Sequence, residues 1–294
     1  MHDCKLVIDA RAELGEGPIW DAEEQLLYWV DILGRNLHIY DPAAQSDRLI
    51  PIGQLVSTVV PYSKGYVALT TENGFFTLEL ARGTLQPLAD PERDLPRNRF
   101  NDGKCDAAGR FWAGTMGMDG GGPSGSLYCL DLDGSVAKVL GDIACSNGIA
   151  WSLDNRSMYY IDSGSKQVAA FDYDIRTGAI SGRKVIVDYT QDTVFPDGMT
   201  IDAEGMIWIA LWDGYRVERR NPDTGALLDT VRVPTAKVSA CAFGGPGLDE
   251  LYITTAREDM SAEQLTNEPI AGGVFSVKTG VQGIPSFAFR QNRS

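Results

Sequence analysis

A phrase written four times constrains the fold more than any other feature of this chain. Phe195-Pro196-Asp197-Gly198-Met199-Thr200-Ile201-Asp202 leads into the apolar run Met206-Ile207-Trp208-Ile209-Ala210. Cys145-Ser146-Asn147-Gly148-Ile149-Ala150-Trp151 leads into Met158-Tyr159-Tyr160-Ile161-Asp162, and Phe100-Asn101-Asp102-Gly103 into Phe111-Trp112-Ala113-Gly114. Leu14-Gly15-Glu16-Gly17-Pro18-Ile19-Trp20 leads into Leu26-Leu27-Tyr28-Trp29-Val30-Asp31. Gly103 and Gly148 lie 45 residues apart, Gly148 and Gly198 lie 50 apart, and Gly17 precedes Gly103 by 86, two such periods. Weaker copies run from Val56 to Val60 and from Val238 to Phe243. Six copies of a unit of about 40–50 residues, rich in short strands, predict a β-propeller. The repeated runs are β-branched and aromatic, four to six residues long, and cut by Gly, Asp and Asn, which argues against a helical solenoid.

The expected fold is therefore all-β: six four-stranded antiparallel blades around a central channel, with residues 1–294 as one propeller domain. Ring closure is expected from Lys5-Leu6-Val7-Ile8 pairing near Gly273-Val274-Phe275-Ser276-Val277. In a propeller, equivalent positions of each repeat converge on the channel although they are distant in sequence. Those positions carry Glu16, Asn101-Asp102, Asn147 and Asp197. Any one of them reads as turn chemistry before a glycine. Four in register, among apolar residues, predict a convergent polar site.

The formal charge of −14 argues against nucleic acid and anionic membrane surfaces as partners. Five cysteines with no CxxC spacing, no basic-then-apolar leader and no long apolar run point to a reduced, cytoplasmic protein with buried thiols. Of the two histidines, His2 falls at an N-terminus expected to fray, and His38 alternates within an outer-strand pattern. A Ser-His-Asp triad or a histidine-rich zinc site is thereby disfavoured. Gly120-Gly121-Gly122-Pro123-Ser124-Gly125 has G-x-G-x-x-G spacing but no flanking helix and a proline inside it, so a dinucleotide site is rejected. Asp131-Leu132-Asp133-Gly134 and Asp172-Tyr173-Asp174 read as hairpin turns rather than calcium loops.

Oxygen chemistry remains. Glu16, Asn147 and Asp197 supply two carboxylates and an amide carbonyl. These are hard ligands, suited to Ca²⁺, Mg²⁺ or Mn²⁺, and a set of three leaves coordination positions open. Arg99 and Asn101 stand two apart, so both can face the channel.

Together with Gly114-Thr115-Met116, Cys241-Ala242-Phe243-Gly244-Gly245, Thr255-Ala256-Arg257 and Ala271-Gly272-Gly273, these phrases resemble the SMP-30/gluconolactonase/regucalcin family along essentially the whole chain. The resemblance implies one divalent ion, calcium first, with magnesium, manganese or zinc as alternatives, held by Glu16, Asn147 and Asp197. It implies that Asp197 is also the general base, and that Arg99 and Asn101 hold sugar hydroxyls, with Asp119 at the position of a further acidic substrate contact. Asp102 stands behind this set and is the next candidate for the base. The implied reaction is hydrolysis of an aldonolactone of the gluconolactone or pentonolactone type to its aldonic acid, by a monomer or weak homo-oligomer. The competing expectations are a calcium-binding, regulatory propeller without catalysis and a scaffold for protein partners. The second lacks support, since the Trp-Asp dipeptide stands only at Trp20-Asp21 and Trp212-Asp213 and does not recur with each repeat.

Overall fold

The computed structural model describes residues 2–119 and 122–291. Six four-stranded antiparallel sheets form a six-bladed β-propeller. The innermost strands are Gly15–Asp21, Val56–Ser63, Asn98–Cys105, Ser146–Trp151, Phe195–Ile201 and Val238–Gly244. Each packs against the inner strand of the next blade, and the sixth against the first. Lys5–Ile8 pairs antiparallel with Val274–Lys278 and completes the sixth blade as its outermost strand, so the ends of the chain close the ring as expected. The described helices are one α-helical stretch, Ala262–Asn267, and one 3₁₀ turn, Ser163–Ser165. No helix is long and apolar enough to cross a membrane.

The repeated glycine proves to be a bulge inside a strand and not a turn before one. The register shifts between Glu16 and Ile19, Phe100 and Gly103, Ser146 and Ile149, and Pro196 and Met199. A bulge re-aims the neighbouring side chain. It also permits close approach: a Cβ on Gly148 would stand 2.6 Å from the Met199 Cβ and 2.7 Å from the Asp197 carbonyl oxygen.

The blades bury aromatic and β-branched residues between them, with Trp20, Trp29, Trp112 and Trp208 fully enclosed. Two buried aspartates staple the hairpin after an inner strand. Asp106 accepts from Arg110 N, Arg110 Nη1, Trp112 Nε1 and Tyr173 Oη at 2.6–3.2 Å. Asp202, the counterpart in the fifth blade, accepts from Glu204 N, Met206 N, Trp208 Nε1 and Arg219 Nε at 2.7–2.9 Å.

Several local expectations change. Asp172-Tyr173-Asp174 continues the strand Gln167–Asp174, because Tyr173 is needed against Asp106, and the turn falls beyond it. Asp131–Gly134 does form a hairpin turn. His2 is tied to Asp229 at 2.8 Å rather than loose. His38 is structural: it stacks on Trp29 at 3.8 Å and bonds Asp47 at 2.6 Å. All five thiols are free, but Cys4 and Cys145 are only partly buried. The glycine-rich stretch begins at residues 120–121, which lie outside the described residues, and Gly125 opens the strand Gly125–Leu130.

Removing the Asp106 carboxylate would leave Trp112 Nε1, Tyr173 Oη and Arg110 N buried without an acceptor and take from the Arg110 guanidinium its buried counter-charge, though it keeps the Ile175 and Arg176 carbonyls. Asp106→Ala is therefore expected to cost about 3–5 kcal/mol in urea unfolding, the scale for breaking a buried ion pair. A loss below about 1 kcal/mol, the scale of an exposed pair, would show that the staple is not structural.

Candidate functional site

Glu16, Arg99, Asn101, Asn147 and Asp197 meet in one open cavity of about 380 Å³ at one end of the channel. Each is only 5–7% exposed. The approach to two of them is set by aspartates that end the adjoining strand. Asp31 accepts from Glu13 N and Leu14 N, two to three residues before Glu16, and Asp162 accepts from Ala144 N and Cys145 N before Asn147.

The hydrogen bonds orient the Asn147 amide without ambiguity. Ser163 Oγ donates its single proton to the Pro196 carbonyl at 2.6 Å and so can only accept from Asn147 Nδ2, 3.0 Å away. The amide carbonyl therefore faces the cavity. Asn147 Oδ1 and Asp197 Oδ1 are both buried with no hydrogen-bond partner among the described residues. Buried polar atoms are seldom left this way, and each such group calls for an explanation. Glu16 accepts from Gly17 N at 3.0 Å.

Arg99 Nη1 donates to Asn101 Oδ1 at 2.6 Å and to the Phe100 carbonyl at 3.0 Å. Asn101 Nδ2 donates to the Ser146 carbonyl at 2.8 Å. Asn101 is thus a clamp between Arg99 and the fourth blade. Arg99 Nε and Nη2 make no hydrogen bond among the described residues. Asp119 is placed differently: it pairs with Arg97 at 2.9 Å, is well exposed, and is not among the described residues lining the cavity. Asp102 points to a narrow gap further along the channel, bonds Gly103 N at 2.7 Å, and stands behind the other acids.

Electrostatics set the acids against one another. Burial, then the charge of Asp102, pushes the Glu16 carboxyl up to about 8. Burial, then Glu16 and Asp102, holds Asp197 well above the usual carboxylate range. Asp102 is raised too, mainly by burial. No three His, Cys, Asp or Glu side chains among the described residues group as a metal cluster, and here the third donor is an amide. The residues nonetheless fit a hard divalent cation: two orphaned oxygens and two mutually repelling carboxylates are what such an ion would satisfy.

Sequence reading missed Ser163, Cys145, Met116, Glu258 and Trp212, which also line the cavity. Cys145 stands two residues before Asn147, and strand alternation could have found it. Glu258 directly follows the Thr255-Ala256-Arg257 phrase. Ser163 has no repeat signal, since it sits in a 3₁₀ turn particular to one blade.

Fold and site together define a six-bladed propeller whose channel holds a cavity lined by carboxylate, amide and guanidinium groups. A sequence model of the SMP-30/Gluconolactonase/LRE-like region matches residues 14–257, and the chain belongs to that family. It is 41% identical over 286 residues to "Putative sugar lactone lactonase YvrE" of Bacillus subtilis (strain 168), covering 96% of this chain and 98% of that one. It is 41% identical over 285 residues to regucalcin of Gallus gallus, covering 95% of each. The crystal structure of regucalcin from Agrobacterium tumefaciens, described as a calcium-binding protein, superposes with a TM-score of 0.94 at 31% identity over 98% of both chains.

Two predictions follow from the geometry. Ser163→Ala removes the acceptor that orients the Asn147 amide, so calcium affinity measured by titration calorimetry should fall about 10–100-fold, the usual cost of losing such a supporting partner. An unchanged dissociation constant would refute this orientation role. The raised Glu16 carboxyl has a sign consequence in chelator. Its stability contribution is complete below its ordinary value of 4.5 and is lost as pH rises through about 8. The melting temperature in chelator should therefore decline across that window, and calcium or Glu16→Gln should flatten the decline. A profile in chelator that is flat or rising would contradict it.

Proposed function

We propose that this protein is a divalent-metal-dependent lactonase that hydrolyses sugar lactones to aldonic acids. The observation that carries the reading is the pair of orphaned oxygens, Asn147 Oδ1 and Asp197 Oδ1, beside Glu16 in the cavity. The name of the Bacillus relative points the same way.

Glu16, Asn147 and Asp197 would hold the ion. When bound, it supplies charge stabilisation at the lactone carbonyl oxygen, worth several kcal/mol. Asp197 takes the proton of the attacking water as general base. Water oxygen bonds to the carbonyl carbon, the ring C–O bond breaks, and the ring oxygen leaves as a hydroxyl group once protonated. Arg99, held planar by Asn101, offers Nε and Nη2 to substrate oxygens and fixes the ring along one line of attack. Asp119, held by Arg97, is assigned to a sugar hydroxyl at the rim. Met116, Phe195 and Trp212 provide apolar walls that limit water.

A second reading is a calcium-binding propeller without turnover. It is favoured by the description of the Agrobacterium protein and by the same three donors. Acid release from a panel of sugar lactones, followed with a pH indicator with and without chelator, separates the two. Lactonase activity is expected, and chelator should abolish it. Asp197→Asn can keep an oxygen donor but not the base, so kcat should fall about 10²-fold or more with calcium still bound. Near-full kcat in that variant would move the base elsewhere, with Asp102 next. Calcium binding with a silent lactone panel would establish the second reading instead.

A further inference from the structure

The opposite end of the channel holds a second cavity of about 280 Å³. Five of the six inner strands contribute the residues that follow their bulges, among them Ile19, Trp151, Ile201 and Phe243. A narrow gap of about 10 Å³, lined by Asp102, Gly103 and Met199, separates it from the carboxylate cavity. The tail of the chain crosses its mouth. Gly283 N bonds the Leu248 carbonyl at 2.7 Å on one side, and Phe289 N bonds the Pro61 carbonyl at 2.9 Å on the other. Ile284, Pro285 and Phe287, between these pins, form the cover.

Lys104 is the single charged side chain among the described residues lining this cavity, in a protein of net charge −14. It also lines the gap, so its ammonium lies at the inner end, where Nζ donates to the Met199 carbonyl at 2.7 Å. No carboxylate oxygen among the described residues lies within 4.0 Å of it. Asp102 acts on it electrostatically from beyond ion-pair reach. A half-buried ammonium without a paired anion is costly, and two of its three protons have no acceptor among the described residues.

We infer that this cavity is a second binding site, for a small apolar carboxylate whose charged end meets Lys104 and whose body lies against Trp151, Phe243 and the tail. Most of the wall is apolar, its other polar side chains, Ser152, Asn155, Thr200 and Ser286, are neutral, and the cation is single, which suits a monoanion. A doubly charged phosphate would need more positive charge than one ammonium supplies.

Titration calorimetry on the full chain tests this with sodium benzoate, against neutral benzamide of the same shape, at matched ionic strength. Benzoate should bind saturably and at least about tenfold tighter than benzamide. Lys104→Met should remove that preference. Leu153 stands half-exposed at the mouth, so Leu153→Glu should fold normally and weaken benzoate about tenfold by like-charge repulsion. Equal binding of benzoate and benzamide, no saturable benzoate binding, or benzoate binding unchanged by Lys104→Met would each overturn the assignment. If Lys104→Met fails to fold, Leu153→Glu decides: an unchanged dissociation constant overturns the site.

Discussion

The structure depends on how closely six inner strands can approach one axis. A full set of Cβ atoms does not fit there. A Cβ on Gly198 would collide with the Ala240 Cβ, one on Gly103 with the Trp112 carbonyl, and one on Gly148 with Met199. Glycine at 148 and 198 lets adjoining blades touch, and at 103 it lets the inner strand lie close against its neighbour in the same blade; the bulge it accompanies turns the preceding side chain toward the channel. Packing and chemistry are therefore coupled at neighbouring residues. An alanine at 148 or 198 would push apart the strands that carry Asn147 and Asp197. The site's geometry is set by the ring's tightness more than by any loop.

Acidic residues do much of the structural work. Asp31 and Asp162 hold the backbone that leads into Glu16 and Asn147, while Asp106 and Asp202 cap hairpins and anchor tryptophans. A carboxylate can accept from several backbone and side-chain donors at once, which suits hairpins whose N–H groups would otherwise be unpaired. The excess of acids thus reflects architecture as well as solubility.

The six-fold repeat, the inner strands and the ring closure were legible because they rest on period and composition. So was the convergence of Glu16, Asn147, Asp197, Arg99 and Asn101. Two kinds of feature were not. The repeated phrase ends at Asp202 without marking it, and only the fold shows its carboxylate bonded to Trp208 and Arg219. Asn101 and Asp102 read as one polar pair, yet the bulge sends Asn101 to the upper cavity and Asp102 to the gap. A shift of register breaks the two-residue alternation on which strand reading depends. Contacts across blades, such as Ser163 to Pro196, join residues 33 apart through a turn that no other repeat shares.

Charge balance along the channel ties the two cavities together. Glu16, Asp102, Asp197 and Glu258 are four carboxylates around the upper half, and Arg99 and Lys104 are the two cations facing them. Four against two leaves a deficit of two positive charges in a region where burial makes each one expensive. Without a cation, burial raises all four acids, and for Glu16 and Asp197 the neighbouring carboxylates add to it. A divalent ion would supply the missing charge and favour release of their protons, leaving Asp197 in the ionised form that the proposed base requires. Lys104, on the far side of the gap, is turned away from ion-pair contact with Asp102 and left with donors to spare. The channel thus gathers carboxylates toward one end and holds toward the other an ammonium with no ion-pair partner among the described residues.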